Sequence, residues 1–203
     1  MKGINLFIIA LFFTISAGAQ TTSWSFDKAH TNVRFSVDHM VISEVEGNFN
    51  QFDGTVWATK EDFSDLKAQF TIQTASVDTD QEKRDGHLKS ADFFDVEKYP
   101  TITFKSKAVK KMGNNTFKLI GDFTMIGVTK EVELEVKHLG TIQDPWGNTK
   151  AGFKITGTLN RNDWGLKYNS VMDNGGMLIG EEVNITCNVE LAKEKTNLLE
   201  NKK

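Results

Sequence analysis

Four histidines and one cysteine are the side chains of this sequence best suited to bind a metal or transfer a proton. The histidines are His30, His39, His87 and His138, and no HxH, HExxH or Cys-His cluster joins any of them. His30 and His39 are an odd number of residues apart, so a regular strand would send them to opposite faces. We therefore expect structural histidines, no metal site and no cofactor.

The single cysteine, Cys187, has no partner for an internal disulfide. It alternates with apolar residues, as a residue on the buried face of a strand does. These neighbours are Val183, Ile185, Val189 and Leu191. We expect a buried structural thiol. No serine or cysteine stands in a nucleophile motif such as GxSxG, which argues against an enzyme.

Arg84, Asp85 and His87 form the one compact group of charged and titratable side chains with several chemical uses. They could act as an acid-base set, clamp a polar headgroup, or form a network that fixes a helix in place. The three alternatives differ in what a substitution would abolish: turnover, ligand affinity or the fold. The residues alone favour the structural network.

Two-residue alternation of apolar and polar side chains indicates the elements that would position these groups. It predicts strands near residues 33–38, 66–73, 101–105, 117–124, 131–137, 153–159 and 183–191. An eighth, less regular strand is predicted from Glu44 to Ala58, with Gly47 and Gly54 where it could bend or bulge. Turn-forming residues separate the runs at 113–115, 144–148 and 174–176.

One helix is predicted, from Asp80 to Ser90, opened by a capping box between Thr79 and Glu82. At the amino end, Lys2, an apolar stretch from residue 4 to 15 and a small-residue run predict a signal peptide over residues 1–19. We expect a periplasmic or secreted protein with no later membrane-spanning segment. The charged residues 192–203 lack a strand pattern and form a predicted tail.

Charge and length narrow the class of protein further. The chain carries 24 basic and 27 acidic residues, a balance that attracts neither nucleic acid nor anionic membrane surfaces. Residues 20–191 suit a single domain. Antiparallel strands with one apolar face must stack as a sandwich or close as a barrel. An eight-stranded barrel is just wide enough to be filled by its own side chains or to hold one small ligand.

Five segments of this chain resemble the YceI-like family of bacterial polyisoprenoid-binding proteins. The longest are RDGHLKSADFFD from Arg84 to Asp95 and YPTITFKS from Tyr99 to Ser106. The others are HTNVRFSVDH (30–39), GDFTMIGVTK (121–130) and NRNDWGL (160–166), which leads into GEEV (180–183). The resemblance spans Trp24 to Leu191. Phe123 and Trp164 depart from the residues usual in the family, without consequence for the fold.

The resemblance implies an all-β, lipocalin-like barrel of eight antiparallel strands with one short helix near its mouth, in a protein that often forms a homodimer. Its bore would take the tail of an isoprenoid or another long-chain amphiphile. The expected wall residues are Phe35, Val37, Phe70, Ile72, Phe104, Phe123, Leu134, Phe153, Ile155 and Ile185. Arg84, Asp85 and His87 would meet the headgroup at the mouth.

Hydrophobic burial sets the length of tail that such a bore can hold. At about 0.8 kcal/mol per CH₂, ten carbons contribute about 8 kcal/mol, near micromolar affinity before association costs. Secure capture needs about twenty carbons. We expect a carrier or sequestering protein for an isoprenoid, quinone or fatty-acyl amphiphile. The alternatives are a solid barrel that serves as a stress-response or protein-interaction module, and an enzyme that acts on a lipid through Asp85 and His87.

Overall fold

The computed structural model describes residues 21–172 and 177–195. Its strands are β1 (Thr22–Phe26), β2 (Asn32–His39), β3 (Ser43–Phe49), β4 (Phe52–Ala58), β5 (Lys67–Gln73), β6 (Val77–Asp78), β7 (Thr101–Gly113), β8 (Thr116–Met125), β9 (Val128–Gln143), β10 (Thr149–Asn160) and β11 (Ile179–Lys193). One α-helix, α1 (Glu82–Lys89), and two 3₁₀ turns, Thr74–Ser76 and Arg161–Trp164, complete the described elements. The predicted signal peptide, the turn at 174–176 and residues 196–203 lie outside the described residues.

All strand pairings are antiparallel, and together they close a barrel. Going around the ring, β4, β5, β7, β8, β9, β10 and β11 pair in that order, and β11 returns to β1 and β2. Six of the eleven segments combine into three interrupted strands, namely β1 with β2, β3 with β4 and β5 with β6. The two segments of each interrupted strand bond to the same neighbouring strand or to the two halves of one interrupted neighbour. The predicted eight-stranded antiparallel barrel is thereby confirmed.

The predicted single strand from Glu44 to Ala58 is wrong in one detail, since the structure breaks it at residues 50–51. Asn50 donates its amide hydrogen to the Ser76 carbonyl at 3.1 Å, and Gln51 accepts from the Gln73 amide at 2.9 Å. These two bonds join residues 50–51 to the two ends of the 3₁₀ turn that separates β5 from β6. The break between β3 and β4 therefore lies beside the break between β5 and β6, and the barrel wall stays continuous.

Strand ends also differ from the predicted ones. β1 is not among the predicted strands, and it extends the barrel by pairing Trp24 with Lys193 and Ser25 with Ala192. β11 consequently continues two residues past the predicted domain boundary at residue 191. β7 and β9 run to Gly113 and Gln143, well beyond their alternating apolar stretches. Among the described residues, no helix has the length and apolar composition needed to cross a membrane.

The predicted capping box is also wrong. The residue that caps α1 is Gln81, whose side-chain oxygen accepts the Arg84 amide hydrogen at 2.6 Å. Thr79 does not cap the backbone of α1, because its hydroxyl donates to the carboxylate of Asp85, a side chain of the helix, at 2.5 Å. This side-chain contact takes the place of the predicted capping box.

An aromatic cluster closes one end of the barrel, which we call the base. It consists of Trp24, Phe63, His138 and Phe153, and Phe63 lies at its centre with 1% of its surface exposed. The Phe63 ring centroid is 5.1, 5.0 and 4.9 Å from those of Trp24, His138 and Phe153. Burial lowers the pKa of His138, so its imidazole is neutral and packs as an aromatic ring. The base is therefore closed by rings that pack around Phe63 in tilted and edge-on contacts.

An ionic network near the base joins β10 and β11 to the segment that connects β1 and β2. Lys150 Nζ lies 2.5 Å from an Asp27 carboxylate oxygen and 3.1 Å from a Glu190 oxygen. His30 Nδ1 is 3.2 Å from Asp27, so ligand atoms of Asp27, His30 and Glu190 all lie within 4.8 Å of one another. The Lys150 ammonium bonds both carboxylates and supplies the positive charge that a metal ion would otherwise bring. Sequence patterns do not predict this grouping, because Lys150 and Glu190 are far from Asp27 and His30 in the chain.

We expect Asp27→Asn to lower the free energy of unfolding by about 1–3 kcal/mol at neutral pH, because a charged hydrogen bond is lost. The hydrogen bond from Lys150 lowers the pKa of Asp27 to about 2 from an ordinary value of 3.8. The ionised carboxylate therefore stabilises the fold above about pH 4, and this contribution disappears as the pH falls through about 2. Urea unfolding of both proteins between pH 7 and pH 2 measures the difference.

Asp53→Asn is the matched control, because its ion pair with Lys28 is mostly exposed. Exposed pairs contribute about 0–1 kcal/mol. A stability loss for Asp27→Asn that equals that of Asp53→Asn, or that does not shrink in acid, would contradict the structural role of the network.

Candidate ligand-binding site

An apolar cavity of about 520 Å³ occupies the interior of the barrel. Its volume lies within the range of about 300–1,000 Å³ that is typical of small-molecule sites. Several side chains that point inward, including Phe35, Phe70, Ile155 and Ile185, line this space yet are only half-buried. They retain accessible surface because they border this open space. The barrel is therefore hollow.

The structure places all ten predicted wall residues on the cavity surface: Phe35, Val37, Phe70, Ile72, Phe104, Phe123, Leu134, Phe153, Ile155 and Ile185. Inward residues of the same strands that were not singled out in the sequence also line it, among them Ala68, Leu119 and Cys187. The same alternation predicts these residues, because each lies an even number of positions from a predicted wall residue on its strand, β5, β8 or β11. Their role in binding a ligand belongs to the proposal below.

Close contacts between rings and glycines keep the bore open. Phe35 lies opposite Gly47 in the β2–β3 pair, and a Cβ at Gly47 would stand 2.4 Å from the Phe35 ring. Phe70 lies opposite Gly54, where a Cβ would meet the Gln69 carbonyl oxygen at 2.4 Å and the Phe70 ring at 3.0 Å. Each ring therefore packs against the wall over a glycine. Because the two glycines allow this close approach, the rings lie along the wall and leave the centre of the cavity open.

Most of the charged and polar side chains that line the cavity gather at the end opposite the base, which we call the mouth: Asp38, His39, Lys83, Arg84, His87, Arg161 and Tyr168. Helix α1 supplies three of them. Its sequence places residues 84, 87 and 88 on one face, since residues three and four apart are neighbours on a helix. Leu88 on this face also lines the cavity. The helix thus covers part of the mouth with one apolar residue, Leu88, and three polar ones, Lys83, Arg84 and His87.

Thr79 fixes the position of Arg84 at the mouth. Arg84 donates from Nε to the Thr79 hydroxyl and from Nη2 to the Thr79 carbonyl, each at 2.7 Å. Asp85 accepts from the Thr79 amide at 2.9 Å and from its hydroxyl, and it does not line the cavity. The expectation that Asp85 meets a headgroup is not supported by this placement. Asp85 instead holds Thr79, which in turn orients the guanidinium of Arg84.

His87 belongs to an aromatic group at the rim of the mouth. Its ring centroid lies 4.9 Å from that of Phe93 and 4.7 Å from that of Tyr168, both nearly perpendicular to it. Its Nε2 is 3.0 Å from an Asp92 carboxylate oxygen. Asp92 belongs to the same RDGHLKSAD segment as His87 and is only five residues further along the chain. This arrangement orients the imidazole and gives it one polar and two apolar neighbours.

Arg161 is a buried cation at the mouth that sequence reasoning missed. It is 4% exposed, lines the cavity, and donates to the carbonyls of Gly180 at 2.7 Å and Tyr168 at 3.0 Å, and also to that of Leu166. Burial lowers its pKa, although a guanidinium stays charged at neutral pH. Within the described residues no carboxylate lies within ion-pair distance of it. The motif NRNDWGL contains Arg161, but nothing local in the sequence shows that its partners are carbonyls.

Cys187 lies in the wall of the bore, midway along β11. Its thiol is buried, and this burial raises its pKa to about 11. A thiol with that pKa is almost entirely protonated at neutral pH and is a poor nucleophile. The prediction of a buried structural thiol agrees with this geometry.

The fold and the cavity define a class of protein: a closed antiparallel barrel with an apolar interior, a sealed base and a polar mouth. Residues 24–191 match the YceI-like domain. The chain belongs to the YceI-like family, which confirms the resemblance seen in the sequence.

Relatives of known sequence or structure cover most of the chain. A UPF0312 protein of Staphylococcus aureus is 37% identical over 172 residues, which are 84% of this chain and 98% of the relative. The Campylobacter jejuni YCEI protein has 34% identity and a TM-score of 0.66, covering 83% of this chain and 96% of that one. A polyisoprenoid binding domain from Saccharophagus degradans shares the fold at 14% identity and a TM-score of 0.62, covering 84% and 98%.

Gly47→Ala tests the ring-over-glycine packing. We expect a loss of about 1–3 kcal/mol in the free energy of unfolding, because the new methyl group forces the Phe35 ring out of its position. The control is Gly86→Ala on α1, where a Cβ would meet nothing within 4 Å. Alanine there should stabilise the helix by up to about 1 kcal/mol. Thermal and urea unfolding compare the two, and equal effects would contradict the packing described.

Proposed function

We propose that this protein is an exported carrier or sequestering protein that holds the tail of one long-chain amphiphile in its bore and performs no chemistry on it. The observation that carries the proposal is the cavity of about 520 Å³, which is lined mainly by apolar side chains and has most of its charged and polar side chains at the mouth. A solid barrel has no such space. Residues 1–19 support export to the periplasm or the medium, because they have the pattern of a signal peptide.

The wall of the bore suits a flexible apolar tail. Its side chains are aliphatic and aromatic, and they make no hydrogen bonds that would demand a matching group on the ligand. Affinity would therefore come from burial, at about 0.8 kcal/mol per CH₂. Isoprenoid, quinone and fatty-acyl tails all meet this requirement. The fold shared with a polyisoprenoid binding domain makes an isoprenoid the first ligand to test.

The mouth favours a headgroup that carries negative charge or accepts hydrogen bonds. Arg84 uses Nε and Nη2 to bond Thr79, which leaves Nη1 without a protein partner in the described part of the chain. Lys83 lies beside it, and Arg161 adds a buried positive charge. Guanidinium groups bind carboxylates and phosphates with directed, charge-assisted hydrogen bonds. We therefore assign the headgroup to Arg84, Lys83 and His87, with Asp85 as a positioning residue.

An enzyme that acts on the lipid would need a nucleophile or an acid-base pair facing the ligand. Cys187 has a raised pKa that makes it unreactive, and Asp85, one of the two candidate groups, is bonded to Thr79 outside the cavity. The YceI-like fold is a binding-type barrel. These observations favour a binding protein.

Native mass spectrometry of the purified protein, followed by organic extraction, tests the proposal. We expect a stoichiometric long-chain species that dissociates on denaturation. A protein that is empty, and that also fails to take up added isoprenoids, quinones or fatty-acyl lipids, would overturn the carrier function and favour the protein-interaction module.

Ala68→Trp should block the bore. Ala68 faces the cavity from β5 and is half-buried, so an indole there enters the space that a tail would use. We expect lipid occupancy to fall by at least about tenfold, a loss of about 1.4 kcal/mol or more in binding free energy. Ala108→Trp, at an exposed position on the outer face of β7, is the matched control and should leave occupancy unchanged. Equal occupancy in both variants would place the ligand outside the bore.

Arg84→Gln should separate headgroup binding from tail binding. We expect the affinity for an amphiphile with an anionic headgroup to fall about tenfold, and the affinity for a neutral alcohol with the same tail to change little. Lys105→Gln removes an exposed charge from the outer wall and serves as the control. Titration calorimetry measures all three proteins. An equal loss for both ligands would show that Arg84 supports the fold of the mouth and not the headgroup.

A further inference from the structure

The outer face of β9 changes from polar to apolar toward the hairpin that it forms with β10. Its exposed residues follow one another as Glu131, Glu133, Glu135, Lys137 and Leu139. Leu139 is 60% exposed, and Ile142, near the end of the strand, is 67% exposed. A face that meets only water has no reason to become apolar at its tip. This end of the hairpin extends past the aromatic cluster of the base, because His138 is the last β9 residue packed into it.

The turn between β9 and β10 is built to present a tryptophan. Trp146 is 83% exposed, although tryptophan usually buries most of its surface. The Asp144 carboxylate accepts the amide hydrogens of Trp146 at 3.0 Å and of Asn148 at 2.8 Å, and also bonds the Asn148 side chain. A backbone bond from Gly147 to the Asp144 carbonyl closes the turn. These bonds fix the backbone on both sides of the exposed indole.

Two lysines lie directly opposite each other beside this apolar end. Lys137 of β9 pairs in register with Lys154 of β10, and both side chains are exposed. Like charges directly opposite on one sheet face are unfavourable for folding. No carboxylate among residues 21–172 and 177–195 forms an ion pair with either of them. The outer lysines Lys107, Lys111 and Lys118, by contrast, each do so.

We propose that the β9–β10 hairpin docks on the surface of a lipid bilayer that contains anionic lipids. Trp146, Ile142 and Leu139 would enter the interfacial region, where tryptophan is favoured because its ring is apolar and its N–H is polar. Lys137 and Lys154 would face the anionic headgroups, and apolar insertion combined with positive charge is the usual requirement for stable binding at a membrane surface. A protein partner with an acidic rim is the alternative occupant.

The distribution of charge reconciles this proposal with the net charge of −3. Several exposed acidic side chains lie at the opposite end of the barrel, where Asp38 is paired with Glu44 and β11 begins with Glu181 and Glu182. Because β11 begins at Ile179 near the mouth and ends at Lys193 near the base, the hairpin and the mouth lie at opposite ends. An anionic surface would therefore attract the hairpin more strongly than the acidic strand ends around the mouth, while the cations Arg84 and Arg161 lie inside the mouth. The docked protein would keep its mouth open to the solvent, whether or not the bore holds a lipid.

Co-sedimentation with vesicles tests the proposal. The purified protein is mixed with vesicles of phosphatidylcholine alone or with about 30% phosphatidylglycerol, a mixture that carries a negative surface potential. We expect binding to the anionic vesicles, reduced at least about tenfold by roughly 0.5 M salt, which screens surface charge. Trp146→Ala, and the double variant Lys137→Gln with Lys154→Gln, should each lower binding to a similar extent. Ile42→Ser is the control, because Ile42 is 86% exposed at the other end of the barrel.

All variants share the same amino terminus, so any contribution of residues 1–20 cancels. The emission of Trp146 should shift to the blue with anionic vesicles, and Trp146→Ala should abolish the shift. Failure of the protein to bind any vesicle would overturn the proposal. Binding that survives both hairpin variants, or that Ile42→Ser lowers equally, would also overturn it. Self-association that Trp146→Ala abolishes, without vesicle binding, would overturn it and assign the face to a second copy of the chain.

Discussion

Backbone hydrogen bonding around a closed ring of eight strands sets the width of this protein's interior. The width depends on the number and tilt of the strands and not on the side chains that point inward. Closure requires β11 to pair with β10 on one side and with β1 and β2 on the other. The side chains must then fill that width or leave it empty. Here Phe35 and Phe70 pack against glycines in the wall, and a void remains.

The two ends of the barrel differ in chemistry, and this difference gives the void a direction. Rings packed edge-on around Phe63 close the base, and burial keeps His138 neutral there. The mouth carries Arg84 and the buried Arg161, each held by oxygens from chain segments nearby. A ligand that enters tail first would therefore bury its apolar part toward the base and leave its polar group among cations. The apolar wall would then supply the affinity for the ligand, and the residues of the mouth would set its orientation.

Alternation predicted the barrel strands because a side chain's face depends only on the parity of its position. It was weaker where non-local contacts decide the local structure. The break at residues 50–51 follows from a turn on the neighbouring strand. Gln81 caps α1, which begins at Glu82, while Thr79 bonds Arg84 and Asp85. Arg161 was missed because its partners are carbonyls. The void itself was implied only by resemblance, since periodicity does not determine how far a ring projects.

Electron density inside the barrel of the protein, purified from its own source, would show whether the bore holds a lipid tail. We expect one continuous, elongated feature that runs from the level of Cys187 toward Arg84, with its bulkier end among the mouth residues. A bore that contains only ordered water, or that collapses so that Phe35, Phe70, Ile155 and Ile185 pack against one another, would contradict it.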